Sequence, residues 1–380
     1  RNGKDDVNTT GFWEINSKFP NEFYTSSEYV QKMGSYFGVW IGPRGGYNYN
    51  GMLADIIQTG LDTNGDGVKD VQYGSAAGGS IDVADSRYVK KYAEMVIDWT
   101  NRFKVNYWKW DGFADQGQYN SFQKGSIETV GYSESNQHMY GGPNGEYHVT
   151  DLWEKWIYIM EEVREAAEAN GINNLWISLT CYTNPSPWHL QWANSVWIQC
   201  GLDRGDFSNG VMTDKMNTML TYRDAVYHNF IVDHEFQFPL SNIYNHEPIY
   251  GKEDTGINAN SMNGEQFRNY LFMQSGRGTA FWELYYSDSI LNEEKYLINA
   301  DFLEWAEENY DLLKHAIMIG NSPNDEITLT HNNGSQDLAK QSVYGFANFS
   351  ETEADGLLYM RNPVAEDRTF TVKLDESIGV

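Results

Sequence analysis

NYWKWDGF, at residues 106–113, carries the strongest structural signal in this chain of 380 residues. Its apolar residues predict a buried strand that runs into Asp111 and Gly112. Because side chains alternate between the two faces of a strand, Lys109 and Asp111 point the same way. Charged side chains are costly inside a protein unless they bind something, and parallel α/β folds place their chemistry at the carboxyl ends of strands. Asp111 is therefore the first candidate for a catalytic carboxylate.

Around this stretch, short apolar runs alternate with amphipathic helical patterns, of which residues 151–170 form the clearest. The alternation predicts an α/β fold, a (β/α)8 TIM barrel over residues 1–315. Seven of its eight strands are found, and the first strand is expected before Arg1. The predicted strands are Gly11–Ile15, Tyr36–Gly42, Val105–Phe113, Asn174–Cys181, Ser195–Gly201, Glu235–Leu240 and Thr279–Tyr285.

The pattern changes after His315, where short alternating runs are separated by Asn, Gly and Asp turns. We predict that residues 316–380 are the start of an antiparallel β-sandwich domain. The strands predicted there are Glu326–Thr330, Ser342–Asn348, Leu357–Arg361 and Thr369–Leu374.

Composition narrows the possible partners. A net charge of −26 repels phosphate backbones, so we expect no nucleic-acid partner. No apolar run reaches about 18 residues, so we expect no membrane span. The chain has 13 Trp and 26 Tyr, and although most of them are expected in the core, aromatic faces also stack on sugars. A glycan or glycoconjugate is thus the expected partner, with no organic cofactor.

The second motif is DTNGDGVKD, at residues 62–70. It has oxygen ligands at alternate positions and a glycine for the tight turn, as at the front of a calcium loop. Tyr73 stands where such a loop usually has a bidentate glutamate, so an acidic turn is the alternative. We expect a structural Ca²⁺, with the ligands Asp62, Asn64, Asp66, Val68 (through its carbonyl) and Asp70.

Cleavage of a glycosidic bond usually needs a second carboxylate opposite the first. The apolar run at residues 195–201 leads into Asp203 and Asp206, which a barrel would place at the same mouth as Asp111. Arg204 would lower the pKa of such a carboxyl and burial would raise it. Both aspartates are therefore candidates, and a loop or helix-capping role is the alternative for each.

Five segments in this order resemble the retaining α-galactosidases and α-N-acetylgalactosaminidases of glycoside hydrolase families 27 and 36. Lys109-Trp110-Asp111 is similar to the Lys-Trp-Asp motif of the fourth strand, whose aspartate is the nucleophile and whose lysine contacts sugar hydroxyls. Gly201-Leu202-Asp203 resembles the sixth-strand motif that carries the acid/base. The remaining similarities are in Trp13–Asn21, Gly38–Pro43 and Cys181.

This resemblance implies a retaining exo-α-glycosidase that acts on terminal α-linked galactose, N-acetylgalactosamine or galactosamine. Asp111 would be the nucleophile and Asp203 the acid/base, with Asp206 as its rival. The motif after Cys181 departs from the family pattern, as does the position of Gly42 or Arg44, where the family has a glutamate, and the sugar therefore stays open. The expected substrate-binding residues are Lys109, Trp40, Tyr182, Asn184, Trp188, Asp206 and Trp282.

Other interpretations remain. The barrel could be a catalytically degenerate carbohydrate-binding protein, or an α-transglycosylase that uses the same two acids. Cys181 and Cys200 are expected at the ends of adjacent strands, either as a disulfide or as two buried thiols. The acidity, the calcium motif and the glycan substrate favour an extracellular or cell-surface bacterial location. The oligomeric state is left open.

Overall fold

The computed structural model describes most of the chain. The ranges described are 12–43, 56–57, 59–62, 64–74, 76–77, 80–81, 83–112, 148–180, 185–197, 215–244, 262–278, 284, 291–323, 326–330, 336–340, 342–363 and 367–379. Two compact units are formed, Arg1–Thr183 with His189–Trp197, and Asn184–Trp188 with Ile198–Val380. None of the described helices is both long and apolar enough to cross a membrane.

The first unit alternates strands and helices. In chain order its elements are β1 (Pro20–Phe23), α1 (Tyr24–Lys32), β2 (Phe37–Ile41), β3 (Ala76–Ala77), β4 (Ser80–Ile81), α2 (Ser86–Phe103), β5 (Val105–Asp111), α3 (His148–Ala169), β6 (Trp176–Thr180), the end of a 3-10 helix (Pro187–Gln191) whose first two residues belong to the second unit, and β7 (Ser195–Val196). Four of the strands form one parallel sheet in the order β2, β5, β6, β7.

Helix α2 begins and packs as its sequence predicts. The side chain of Asp85 caps the first turn by accepting a hydrogen bond from the N–H of Arg87. The buried side chains recur every three or four residues, so one stripe of the helix faces the sheet. They are Tyr88, Val89, Tyr92, Ala93, Met95, Val96, Trp99, Thr100 and Phe103.

The sheet is wound in one direction. The strands of this sheet lie side by side in the order in which they occur along the chain, and the two crossover helices, α2 and α3, pack against each other. Both helices therefore cover the same face, as in a sector of a TIM barrel, whereas a doubly wound sheet carries helices on both faces. The described residues contain four strands of this sheet, and closure into an eight-stranded barrel stays a prediction.

The second unit combines helices with antiparallel strands. Its elements are α4 (Lys215–His228), a π-helical turn (Asn229–Asp233), a 3-10 helix (Leu240–Asn242), α5 (Gly264–Ser275), α6 (Glu293–Glu308), α7 (Tyr310–Leu313), β8 (Ala316–Gly320), β9 (Glu326–Thr330), β10 (Gln336–Lys340), β11 (Tyr344–Phe349), β12 (Gly356–Arg361) and a 3-10 helix (Glu376–Ile378). Strands β12, β11 and β8 form one sheet, and β9 pairs with β10.

Helices and strands of the second unit share one core. Phe267, Leu271 and Phe302 are buried on α5 and α6, and Leu357 and Tyr359 of β12 pack against the same cluster. The predicted antiparallel region is therefore present, with β8 and β10 as strands that the sequence pattern had not indicated. The predicted boundary at residues 315/316 falls inside this unit, and the division into domains there stays a prediction.

Three predicted strands are wrong in their described parts. Residues 12–15 are irregular, because Trp13 adopts a φ of 45° and donates its indole N–H to the Tyr88 hydroxyl over 2.9 Å. Residues 235–239 are also irregular, with Phe236 packed on Phe230 at a ring distance of 4.2 Å. Residues 369–374 form no ladder. In each case the alternating apolar residues pack without pairing their backbone.

The remaining strand predictions fall on parts that are only partly described. Thr279–Tyr285 lies outside the described residues apart from Leu284, and β7 is described only to Trp197 within the predicted run 195–201. Strands β2, β5 and β6 confirm the predictions at residues 36–42, 105–113 and 174–181, each with slightly shorter bounds.

Candidate active site

Strand β5 divides its side chains between two environments. Trp108 faces the helices and donates its indole N–H to the Thr100 hydroxyl of α2 over 3.1 Å. Trp110 packs against Trp156 of α3, with ring centroids 5.4 Å apart. Lys109 and Asp111 alternate with these tryptophans and therefore project from the opposite face. The predicted pairing of Lys109 with Asp111 on one face is confirmed.

The neighbouring strands make this face polar. Lys109 pairs in register with Trp40 of β2 and with Ser178 of β6, and Asp111 pairs with Thr180. Side chains that are in register on parallel strands point to the same side of the sheet. The inner face of β5 and its neighbours is thus lined by hydroxyls, a carboxylate, an ammonium group and an indole.

Trp40 contacts both charged residues. Its indole Nε1 donates a hydrogen bond to Oδ2 of Asp111 over 2.9 Å. The ammonium nitrogen of Lys109 lies 5.0 Å from the centre of the Trp40 ring, within the range of a cation–π interaction. Asp111 and Lys109 are 7% and 3% exposed, whereas Trp40 is 43% exposed. The three residues form a site with two buried charges and one accessible aromatic wall.

The strand ends directly after the carboxylate. Gly112 has a φ of 75°, which a residue with a side chain rarely adopts, and its N–H bonds to the carbonyl of Thr180 over 2.7 Å. This bond extends the pairing of β5 with β6 by one residue, and the backbone turns at Gly112. Asp111 is consequently the last side chain of the strand, at the carboxyl end, where α/β enzymes place their catalytic groups.

A chain of hydroxyls lies beside the charged pair. Trp176 donates its indole N–H to Ser195 over 3.0 Å, and Ser195 donates to Ser178, also over 3.0 Å. Ser178 and Ser195 are fully buried, so these bonds satisfy polar groups that would otherwise be costly. Ser178, Thr180 and Ser195 were not among the residues expected at the site. The signal for Ser178 and Thr180 was available, since ISLT at residues 177–180 alternates apolar and polar residues.

Trp188 is the one other expected substrate-binding residue that the structure describes. Trp188 lies in the 3-10 helix Pro187–Gln191, is 40% exposed and belongs to the second unit. Outside the described residues lie Tyr182, Asn184, Asp203, Asp206 and Trp282, as do Cys181 and Cys200.

The acidic loop at residues 62–70 has the backbone turn of a calcium loop. Gly67, at the sixth position of the motif, has a φ of 86°, which suits the sharp turn required there. Both oxygens of Asp62 accept backbone hydrogen bonds, from Gly67 and from Gly65, each over 2.7 Å. These bonds, and that of Gly67 above all, hold the pKa of Asp62 below its ordinary value, so the carboxylate is charged at neutral pH.

The side-chain oxygens of this loop also bond to its own backbone. Asn64 accepts from the N–H of Asp66 over 3.0 Å, and Asp66 accepts from the N–H of Val68 over 2.8 Å. In the described part of the chain, no three acidic, histidine or cysteine side chains converge as a metal site. The backbone turn therefore suits a calcium loop, but the described side chains that were expected as ligands do not converge on one point. Calcium binding by residues 62–70 stays a prediction.

Melting curves test the calcium prediction. An ion that binds only the folded state stabilises it, so we expect added Ca²⁺ to raise the melting temperature and a chelator to reverse the gain. Asp62→Ala should remove this response. Asp98→Ala, on an exposed face of α2, should keep it. Identical melting curves with calcium and with chelator would contradict the prediction.

Comparisons with known proteins add evidence on the fold. No protein-family model matches the chain, and no curated protein matches it. Among solved structures, a variant of the family GH36 α-galactosidase AgaA of Geobacillus stearothermophilus, in complex with raffinose, matches with a TM-score of 0.51 and 11% identity, over 89% of this chain.

Two further structures match less well. The α-galactosidase of Lactobacillus brevis has a TM-score of 0.47 and 11% identity, over 87% of this chain and 38% of that enzyme. A maltogenic α-amylase of Thermotoga neapolitana has a TM-score of 0.44 and 11% identity, over 90% of this chain and 68% of that enzyme. These two scores carry no argument about function.

The first match concerns the fold. This chain spans 38% of the length of the Geobacillus enzyme, so it corresponds to part of that protein. The structural likeness agrees with the resemblance in the sequence motifs, which it confirms at the level of architecture. The chain therefore has a fold like that of a family GH36 α-galactosidase, with Lys109 and Asp111 at the carboxyl end of a parallel strand.

Proposed function

We propose that this chain is the catalytic part of a retaining exo-α-glycosidase, with Asp111 as its nucleophile. One observation carries the proposal: a buried carboxylate ends a parallel strand, on the same face as a buried lysine and hydrogen-bonded to a half-exposed indole. Burial of both charges lowers the stability of the fold, and charged groups retained at such a cost are typical of functional sites. The preference for terminal galactose-type sugars rests on the sequence resemblance.

Double displacement gives each of the two carboxyl groups its own role. The carboxylate of Asp111 attacks the anomeric carbon, while an acid gives its proton to the glycosidic oxygen as that bond breaks. Asp203 is the proposed acid and Asp206 its rival. The acid, now a base, then takes a proton from water. The resulting attack releases the sugar and restores the Asp111 carboxylate.

Lys109 and Trp40 fit roles in holding the sugar. An ammonium group donates hydrogen bonds to hydroxyl oxygens, and an indole face packs against the C–H face of a sugar ring. Lys109 is buried beside the carboxylate, whereas Trp40 exposes 43% of its surface. We propose that Lys109 orients the sugar ring for attack and that Trp40 forms one wall of its site.

A panel of nitrophenyl α-glycosides tests the proposal in the full-length protein. Galactose, N-acetylgalactosamine, galactosamine and glucose should be offered in parallel, with the β-galactoside as the stereochemical control. We expect turnover of a galactose-type α-glycoside, and NMR spectra taken in the first minutes should show the α-anomer of the free sugar. A β-anomer as first product would rule out double displacement.

Two other outcomes identify the alternatives. Binding of sugars without turnover of any glycoside in the panel would favour the carbohydrate-binding barrel. Transfer of the sugar to an added acceptor, in preference to water, would favour the transglycosylase. Natural glycans with terminal α-galactose should be included, because some glycosidases need part of the leaving group for binding.

A further inference from the structure

Trp40 is placed so that two different parts of its side chain act on two different charged groups. Its N–H donates to Asp111 over 2.9 Å, and its ring lies beneath the Lys109 ammonium at 5.0 Å. Strand pairing sets Trp40 directly opposite Lys109 and two residues before the level of Asp111. The indole therefore reaches along the strand towards the carboxylate.

We propose that Trp40 is a positioning residue for Asp111: its N–H fixes and stabilises the charged carboxylate, and its ring holds Lys109 beside it. This inference rests on the proposed function, since it assigns Asp111 a reactive role. It goes further in making one side chain responsible for the orientation of both charged groups.

The physical basis is the geometry of the hydrogen bond. A hydrogen bond from a neutral donor to a carboxylate favours the charged form, which is the form that attacks carbon. It also restricts rotation of the carboxyl group, because the donor sits on a rigid ring in a neighbouring strand. A nucleophile held in one orientation loses less entropy on reaching the transition state.

The described strands around Asp111 place one other charged side chain, Lys109, on its face of the sheet. On the flanking strands the described side chains in register with Lys109 and Asp111 are Trp40, Ser178 and Thr180, which carry no charge. The titratable groups on the same face of β5 are Lys109 and Tyr107. Among these described groups, the ammonium of Lys109 and the N–H of Trp40 both favour the charged carboxylate.

Two substitutions separate the two functions of the indole. Trp40→Phe keeps an aromatic face for Lys109 and removes the N–H, whereas Trp40→Leu removes both. We expect Trp40→Phe to lower kcat/KM by about 10- to 100-fold at pH values above the acid limb, because the carboxylate loses the contact that orients it for attack. Trp40→Leu should lose about 2- to 30-fold more, the range of a cation–π contact.

The pH profile is the readout that a merely structural role would not move. The acid limb of kcat/KM reports the carboxylate that must be charged in the free enzyme. In Trp40→Phe we expect this limb to move to higher pH by about one to two units. A rise in KM with kcat and the acid limb unchanged would make Trp40 a sugar platform only and overturn the proposal.

A second measurement does not depend on activity or on the stability of the Trp40 variants. With ¹⁵N-labelled tryptophan in the full-length protein, the Trp40 indole N–H signal is assigned by its absence in Trp40→Phe or, if that variant does not fold, by sequential assignment in uniformly ¹³C- and ¹⁵N-labelled wild-type protein. We expect this signal to shift with pH in the wild type and to lose the shift in Asp111→Asn. An indole signal that ignores Asp111 would contradict the proposal.

The two measurements also distinguish failure of the inference from failure of the proposed function. If Asp111→Asn abolishes turnover while Trp40→Phe keeps the wild-type acid limb, the positioning role is wrong and the glycosidase stands. If the indole signal follows Asp111 but no glycoside is turned over by the wild type, the contact is real and the proposed function is wrong.

Discussion

Asp111→Asn is expected to lower kcat/KM by about a thousand-fold or more, because an amide cannot form the glycosyl ester. The fold should survive, since asparagine has the shape of aspartate. Its side-chain oxygen can still accept a hydrogen bond from the N–H of Trp40, which in the wild type lies 2.9 Å from Oδ2 of Asp111. Initial rates on the best nitrophenyl glycoside, together with melting curves, measure both parts of this prediction.

The matched control is Asp98→Asn in the same unit. Asp98 lies on α2, forms an ion pair with Arg102 at 3.0 Å and is 49% exposed in its side chain. The same chemical change at an exposed site should leave activity and melting temperature nearly unchanged. Wild-type rates in Asp111→Asn would remove the nucleophile assignment, whereas a large fall in melting temperature would make the loss of activity uninformative.

Chemical rescue distinguishes a missing nucleophile from a disturbed site. It can be attempted even if Asp111→Asn has a much lower melting temperature than the wild type. Asp111→Gly leaves space for a small anion such as azide, which can attack the anomeric carbon from the side that the carboxylate used. With a substrate whose leaving group needs no acid, we expect azide to restore turnover and to form a glycosyl azide of inverted configuration. Product NMR detects it. A folded variant that azide does not rescue would point to a structural role.

The strand that carries this site was predictable from sequence because its signals are local. NYWKWDGF combines a continuous apolar run with a terminal glycine, and the alternation of side chains assigns Lys109 and Asp111 to one face. The same rule allocates Trp108 and Trp110 to the helical side, where they pack. Period and termination are properties of eight neighbouring residues and need no knowledge of the rest of the fold.

The wrong strand predictions fall on segments whose backbone is not paired with another strand in the described part of the chain. Residues 369–374, TFTVKL, alternate as a strand would, yet Val372 uses its side chain to cover the cluster of Ile319, Ala347 and Ile378 and its backbone forms no ladder. Alternation shows which side chains turn inward. Whether another strand lies beside the backbone depends on residues elsewhere in the chain.

The site itself was only partly predictable for the same reason. Trp40 was expected at the site from the family resemblance, but its bond to Asp111 joins residues 71 positions apart. The register between β2 and β5 sets that bond, and register depends on packing across the whole sheet. The hydroxyl chain from Trp176 through Ser195 to Ser178 likewise requires β6 and β7 to be adjacent.

Asp224 stands at the centre of a buried polar network in the second unit. Its carboxylate accepts a hydrogen bond from Nε of Arg277 over 2.6 Å and another from the hydroxyl of Tyr344. Arg361 donates to the same Tyr344 oxygen over 3.1 Å and to the hydroxyl of Thr221 over 2.5 Å. The network thereby joins α4 and the residue Arg277, just beyond the end of α5, to β11 and β12.

The protonation states in this network follow from burial and charge. Burial opposes the charge of Arg277, but the nearby Asp224 carboxylate outweighs it and raises the pKa of the guanidinium above its ordinary value. Burial also raises the pKa of Tyr344, so its hydroxyl keeps the proton that it donates to Asp224. Asp224 is fully buried and is the carboxylate that both Arg277 and Tyr344 contact.

Asp224→Asn is therefore expected to lower the free energy of unfolding by about 3–5 kcal/mol, the usual cost of breaking a buried ion pair. The loss would be a large share of a typical total of about 5–15 kcal/mol. Urea denaturation followed by tryptophan fluorescence measures it. The matched control, Asp301→Asn, breaks an exposed pair with Arg268 at 3.5 Å and should show little change.

A double substitution separates the cost of an orphaned charge from the worth of the network. In Asp224→Leu with Arg277→Met both charges are gone, and replacement of a buried pair by apolar residues is often neutral. We therefore expect this variant to recover much of the stability that Asp224→Asn loses, although the Tyr344 hydroxyl loses its acceptor. Equal losses in both variants would mean that the hydrogen bonds to Tyr344, and not the charge of Arg277, hold β11 to the helices.

The predicted boundary at residues 315/316 would then cut through a contact on which the second unit depends. A fragment ending at residue 315 should in that case not fold by itself.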